Sequence, residues 1–484
     1  MKHFLCYLLF LFLLHTTSYA QEPTLTWGPA INKEPRLLQH MHVVGTTTNQ
    51  SFYAVYLEEG QATLERYNAH NQRMWATALL PKTPANQPAT FYDVVLLHQK
   101  LYLLSTFRAK GTTTVFAQEI APNGNYESNV QAVISTQGNG RLHIAVSDDK
   151  SLLLTALAEP DHNTITAKLL NAGLQPRWSQ LVTGQSNIQQ SLLQNNGTAY
   201  LLTIAPAAAQ NTFLLHRLAP QDGKPDQLPL AQEQIRPVQA KMASTTAQGL
   251  VVTGYYAPAS EPAAQAPEPK GTFFYHFDTN PKHKPILAYT PFSPAFLSEY
   301  KRYKPETEKF QRLRNLQLRQ VLPLASGGVI LTGEVAYLDH QGGSRIFHND
   351  DIVVVRLNND GTPAYTTSAN KLQNASHDSN MLSSYLATAT GDTLHLLYLD
   401  FEYNYTAENS IIMAGPGAVN KEPVLITIPP AGRPQQVTPL HQSQTGRAAG
   451  FYLRPASGYR ISNKEFIVLG VGREYYRYGR LKLE

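Results

Sequence analysis

Between Leu316 and Ser368, apolar residues fall into four short runs separated by residues that favour turns. Leu316 to Leu324 alternates apolar and polar positions and ends at Ala325-Ser326-Gly327-Gly328. Val329 to Ala336 is a second run, followed by a long connection from Tyr337 to Asp350. Asp351 to Leu357 is a third, Asn358-Asn359-Asp360-Gly361 a turn, and Pro363 to Ser368 a fourth. Period-two alternation bounded by Gly, Asn and Asp predicts four antiparallel strands.

The same unit recurs along the chain. A third strand, a tight turn and a fourth strand often bearing an aromatic appear at Leu64–Tyr67 with Asn68 to Arg73 and Trp75, and at Lys168–Leu170 with Asn171-Ala172-Gly173 and Trp178. Other copies end their third strands at Ile120, Leu218, Phe277, Leu357 and Ile428. Asn, Asp and Gly recur at the turns because they tolerate the positive φ angles a tight hairpin needs. The chain closes with Leu481-Lys482-Leu483, a third strand with no fourth, and Leu25-Thr26-Trp27 near its start matches a fourth strand. Four short strands per repeat predict an all-β, eight-bladed β-propeller closed by the amino-terminal strand. Seven blades is the alternative if two weaker units merge, and a β-sandwich would have fewer strands and no fixed motif.

The first twenty residues change this picture only at its edge. Lys2, an apolar run from Phe4 to Leu14, and Ser18-Tyr19-Ala20 read as a secretory signal peptide, leaving residues 21–484 as one propeller domain. Cys6 is the only cysteine and leaves with that leader, so disulfides and zinc-thiolate sites are excluded from the mature chain. An exported location, periplasmic or extracellular, follows as an expectation. Forty Lys and Arg stand against 35 Asp and Glu, a formal charge of +5, which is not the footprint of a nucleic-acid binder. Beyond the leader no stretch is apolar enough to span a bilayer. A monomer without cofactor is expected.

The long insertions share one face. Ala257 to Lys270, Tyr337 to Asp350 and Phe401 to Glu422 join second to third strands, and Ser293 to Asn315, between blades five and six, reads as helical. Ser293 caps that helix, Pro294 suits its first turn, Phe296, Tyr300 and Tyr303 form a stripe, and Pro305 breaks it. Insertions gathered on one face of a repeat array mark a binding side, or else shield one another and the channel mouth.

Candidate chemistry clusters there. Glu334, Asp350, Asp351, Asp400 and Glu402 make an oxygen-rich set for a sugar, a peptide or Ca²⁺, although no Asp-x-Asp-x-Asp-Gly loop is present. The insert adds Tyr300, Lys301 and Arg302, a basic and aromatic surface for an acidic partner or an anionic glycan. The opposing reading is solvated charges and strand-end hydrogen bonds. His40 and His42 lie two apart on a first strand, too few to make a metal site. No Gly-x-Ser-x-Gly or His-Glu-x-x-His occurs.

The run Gly327-Gly328-Val329-Ile330-Leu331-Thr332-Gly333-Glu334, with Asn349 to Val355, Lys371-Leu372-Gln373 and Ser383-Ser384-Tyr385, resembles uncharacterised exported propeller-like proteins of Bacteroidetes type. The likeness spans residues 293 to 405 and implies no activity. Tyr365 stands where that group has a Trp. The turns also resemble those of eight-bladed quinoprotein-like propellers, but the vicinal cysteine pair of the dehydrogenases among them is absent from the mature chain. A non-catalytic propeller binding an envelope or extracellular protein or glycan is the expectation. A glycan hydrolase or lyase using Glu334, Asp351 and Asp400 is the alternative, and a structural part of an envelope assembly is a third.

Overall fold

A computed structural model describes residues 23–483, apart from 128, 206–211, 220–224, 233, 246–248, 262–266, 279–282, 304–311, 342–343, 376–381, 402–420, 434–435 and 441–450. Its strands form eight antiparallel sheets, each built from sequence-consecutive strands except the last. The first strands are Leu38–Thr46, Thr90–Leu97, Arg141–Val146, Ile188–Leu193, Ile235–Ser244, Leu316–Pro323, Tyr385–Thr390 and Tyr452–Arg460. First strands of successive blades touch from blade three round through blade eight to blade one and on to blade two. Tyr92 Oη donates to the Leu142 carbonyl at 2.8 Å and Tyr102 Oη to that of Ala172 at 2.9 Å, joining blades two and three. The molecule is an eight-bladed propeller, as the count of third strands predicts.

The closure is also as expected. Thr24–Trp27 pairs antiparallel with Tyr475–Lys482, matching Leu25 to Leu481 and Trp27 to Gly479. Trp27 meets Phe451 edge-on at 5.0 Å. A Cβ at Gly479 would lie 2.5 Å from Trp27 Cε3, so the indole needs glycine beneath it. Pairing the amino-terminal strand here covers an edge that would otherwise invite association.

The recurring tight turn has one geometry. Asn71 donates to the Asn68 carbonyl at 3.0 Å and Gly361 to that of Asn358 at 3.0 Å, each from a residue with positive φ. This is the three-residue hairpin loop with a left-handed final residue. Blade three places Leu174 there at φ 60°.

Blade six departs from the expected outline. The supposed loop from Tyr337 to Asp350 is mostly strand: Val329–Gln341 and Ser344–Leu357 continue pairing as far as Gln341 with Ser344. The fourth strand runs past Ser368 to Ala375. Exposure alternates along Tyr337, Leu338, Asp339 and His340, and Tyr337 stacks on His348 at 4.4 Å, as in a ladder and not a loop. These strands have 13, 14 and 13 residues, whereas no strand elsewhere among the described residues exceeds 10. The extra residues carry blade six roughly 10 Å beyond the ring at 3.3 Å per residue.

The insert between blades five and six is helical over Pro294–Tyr303, and Ser293 Oγ accepts from the Phe296 amide at 3.1 Å as a cap. Phe296 and Tyr300 bury their stripe against Tyr255, Leu316 and Val353. The break expected at Pro305 lies outside the described residues, as do Glu402 and most of the insertion after Phe401.

Candidate functional site

Three register shifts in blade six lie close together. They fall between Leu318 and Gln320 on the first strand, between Glu334 and Ala336 on the second, and between Asp350 and Ile352 on the third. A bulge leaves a residue unpaired and re-aims its side chain. Here the bulges surround polar residues in the blade interior. Glu334, Asp350 and Asp351 have no exposed surface, and Lys371 retains 1%.

Lys371 is the centre of this set. Its Nζ donates to Glu334 Oε1 at 2.8 Å, to Gln373 Oε1 at 3.1 Å and to the Asn349 carbonyl. An ammonium has three donors, and all three are used. Glu334 Oε2 accepts from Arg319 Nε at 2.9 Å and Ser384 Oγ at 3.0 Å, with Arg319 Nη2 at 2.8 Å. Gln373 accepts from the Ser384 amide at 2.8 Å and donates to the Leu399 carbonyl at 2.7 Å, tying blade six to blade seven. Ser384 sits at φ 69°, a conformation costing a non-glycine residue about 1–2 kcal/mol. Its amide and hydroxyl bonds offset that cost.

The other carboxylates are enclosed as well. Asp351 Oδ2 accepts from Tyr300 Oη at 3.2 Å, and Asp351 Oδ1 from the Lys371 amide at 3.4 Å. Tyr337 Oη donates to Asp350 Oδ2 at 3.4 Å. Asp400 pairs across strands with Glu422, and both are buried. Burial pulls Lys371 below the usual lysine range, and the Glu334 carboxylate opposes it. Burial likewise drives the Tyr385 and Tyr398 phenols far above theirs.

The structure therefore brings Glu334, Asp350, Asp351 and Tyr300 together, with Asp400 near Asp351 around Tyr398. It does so inside the blade, not on an open mouth. Lys301 and Arg302 belong to the helix, whose buried members here are Phe296 and Tyr300. Among the described residues no three His, Cys, Asp or Glu side chains form a metal-binding group. His42 does not pair with His40 for a ligand. A register shift separates them, and His42 Nε2 meets Asp93 at 3.1 Å. Burial, the largest influence, works against its protonation, but the hydrogen bond and charge of Asp93 with the His40 carbonyl together raise His42. An open groove of about 480 Å³ lies between blades two and three, lined by Thr112, Ser135, Glu159, His162 and Thr164.

Sequence reasoning missed Lys371, Gln373 and Ser384 as members of the network. They stand in the runs Lys371-Leu372-Gln373 and Ser383-Ser384-Tyr385 that carry the resemblance described above. A Lys and a Gln spaced two apart on a strand point the same way, and that was the available signal.

The eight four-stranded sheets around a closed ring define the class of protein: a β-propeller. Neither a family model nor a curated protein matches the chain. Among solved structures, the Dos1 propeller aligns over 95% of this chain and 96% of its own at 10% identity, with a TM-score of 0.48. The WD40 domain of SCAP from fission yeast aligns over 94% and 98% at 9% identity and a TM-score of 0.39. Polysaccharide lyase Uly1 aligns over 97% and 94% at 9% identity and a TM-score of 0.39. Likenesses this distant assign no function.

Proposed function

We propose that this chain is an exported, non-catalytic propeller that binds a protein or glycan of the envelope or exterior through its insertion-bearing face over blades five to seven. Kinship with the exported propeller-like proteins named above is part of this reading. The observation that carries it is the state of Glu334. Its carboxylate is fully buried and held by Lys371, Arg319 and Ser384, so the leading acid/base candidate of the enzymatic alternative has no access to a substrate. A general acid or base must reach the proton it moves within about 3 Å. The projecting strands of blade six offer the reading a hydrogen-bonded wall with Leu338 44% exposed instead.

The test shortens that wall. Tyr337 faces His348 in the ladder, so replacing residues 338–347 by Asn-Gly preserves register. The mature chain and the shortened variant are applied to a defined glycan array and to a panel of polysaccharides. Binding lost on shortening, with no chain cleavage by either protein, is expected. Cleavage by the intact chain that disappears in Glu334→Gln overturns the reading.

A further inference from the structure

Charge is sorted by radius in this wheel. The eight first strands, nearest the axis, carry six Lys or Arg against the single acid Asp93. The cations are Arg141, Arg236, Lys241, Arg319, Arg454 and Arg460. The eight second strands reverse the balance, with six acidic and two basic residues.

Lys241 and Arg319 are brought together by the backbone. Gln239 Nε2 donates to the Leu316 carbonyl at 2.6 Å and Gln239 Oε1 accepts from the Leu318 amide at 2.5 Å, levelling blade five with blade six. The ladder is regular from Gln239 to Lys241, so Lys241 shares the side of Gln239 that faces blade six. Arg319 is the unpaired residue of the adjoining bulge. Both side chains are only partly buried. Lys241, in an innermost strand that is hydrogen-bonded on one edge and flanked by blades on both faces, reaches solvent through the central channel, while Arg319 beside it keeps Nε and Nη2 on Glu334.

We propose that the central channel is an anion-binding site that takes an oxyanion group, a sulfate, phosphate or carboxylate, beside Lys241 and Arg319. A channel lined by one sign of charge with low-dielectric walls concentrates the opposite sign. Charge-assisted hydrogen bonds from Lys and Arg suit an oxyanion. Arg236, 5% exposed, has two terminal nitrogens that find no hydrogen-bond partner among the described residues, and it stands on the same first strand as Lys241. Burial, and then the neighbouring Arg319, pull Lys241 below the usual lysine range, a strain that a bound anion relieves. This site is separate from the wall of blade six.

The experiment is calorimetric titration of the mature chain at low ionic strength with sodium sulfate, sodium phosphate, a galacturonate trimer and a neutral galactose trimer. The free ions and the acidic trimer separate an isolated oxyanion from one carried on a sugar. Binding of at least one anion, weakening as salt is added, is expected. Lys241→Gln is expected to lower that affinity about tenfold and Lys241→Arg to restore it. Arg319 is left intact because it also holds Glu334. The variant shortened at 338–347 is expected to keep anion binding, so failure here and failure of the proposed partner surface are read separately. No binding by any anion, equal binding of the neutral trimer, or unchanged affinity in a folded Lys241→Gln chain overturns the proposal.

Discussion

Two glutamates with no exposed surface, Glu65 and Glu334, do different work in different blades. Glu65 sits at the seam where the wheel closes. It accepts from Tyr67 Oη at 2.6 Å and from Tyr476 Oη, 411 residues away, at 2.7 Å. Its cation, Arg73 at 2.9 Å, stays about one-third exposed. Glu334 takes a wholly buried lysine instead, with Arg319 and Ser384 on its other oxygen. The seam thus meets a buried anion mainly with neutral phenols, and blade six meets one with a buried cation. Phenols carry only the smaller desolvation penalty of a neutral hydroxyl, whereas a buried ammonium loses several kcal/mol of hydration and depends on every partner. The seam should tolerate the loss of a partner, and blade six should not.

The largest effect is expected at blade six. Lys371→Met leaves Glu334 short of its counter-ion and should cost about 3–5 kcal/mol in urea unfolding. Pairing it with Glu334→Gln should recover part of that. A loss below about 1 kcal/mol would mean the pair is not the support described. A buried imidazole in neither region calibrates the scale. His216, 1% exposed, bonds Thr203 Oγ1 at 3.0 Å, and burial lowers it to about 4. Its folded value lies below the unfolded value near 6.5, so the unfolded chain binds the proton first and stability falls as pH drops from 6.5 towards 4. The loss reaches at most about 3 kcal/mol, and His216→Gln should flatten that limb of the stability profile.

The seam should respond less. Glu65→Gln keeps the shape and one acceptor and should cost about 1–3 kcal/mol. Tyr476→Phe removes one of its donors across the closure and should cost about 1 kcal/mol. If either exceeded Lys371→Met, the ordering of the two regions would be inverted.

The ring was readable because its signals are local and repeated. Period-two runs, Asn/Gly turns and the match of Trp27 to other fourth strands are all properties of short segments. Blade six was misread where turn-like composition overrode pattern: His340, Gly342, Gly343 and Asp350 suggest a loop, while Tyr337 and His348 stack across a continuing ladder. The gathering of Glu334, Asp351 and Tyr300 was legible from their places on neighbouring strands and the insert. Their enclosure was not, because it depends on Lys371, 37 residues from Glu334 and brought to it by bulges that no local pattern marks. The inner excess of cations was hidden for a similar reason. Lys241 and Arg319 are far apart in the chain and come together only where blades five and six meet.

The central claim is that the buried carboxylates of blade six support the fold and do not act on a substrate. One protein decides it most directly: Glu334→Gln, measured for melting temperature and polysaccharide cleavage beside the unaltered chain. The account predicts a lower melting temperature and no cleavage by either. An unchanged melting temperature together with the loss of a cleavage activity that the unaltered chain possesses would contradict it.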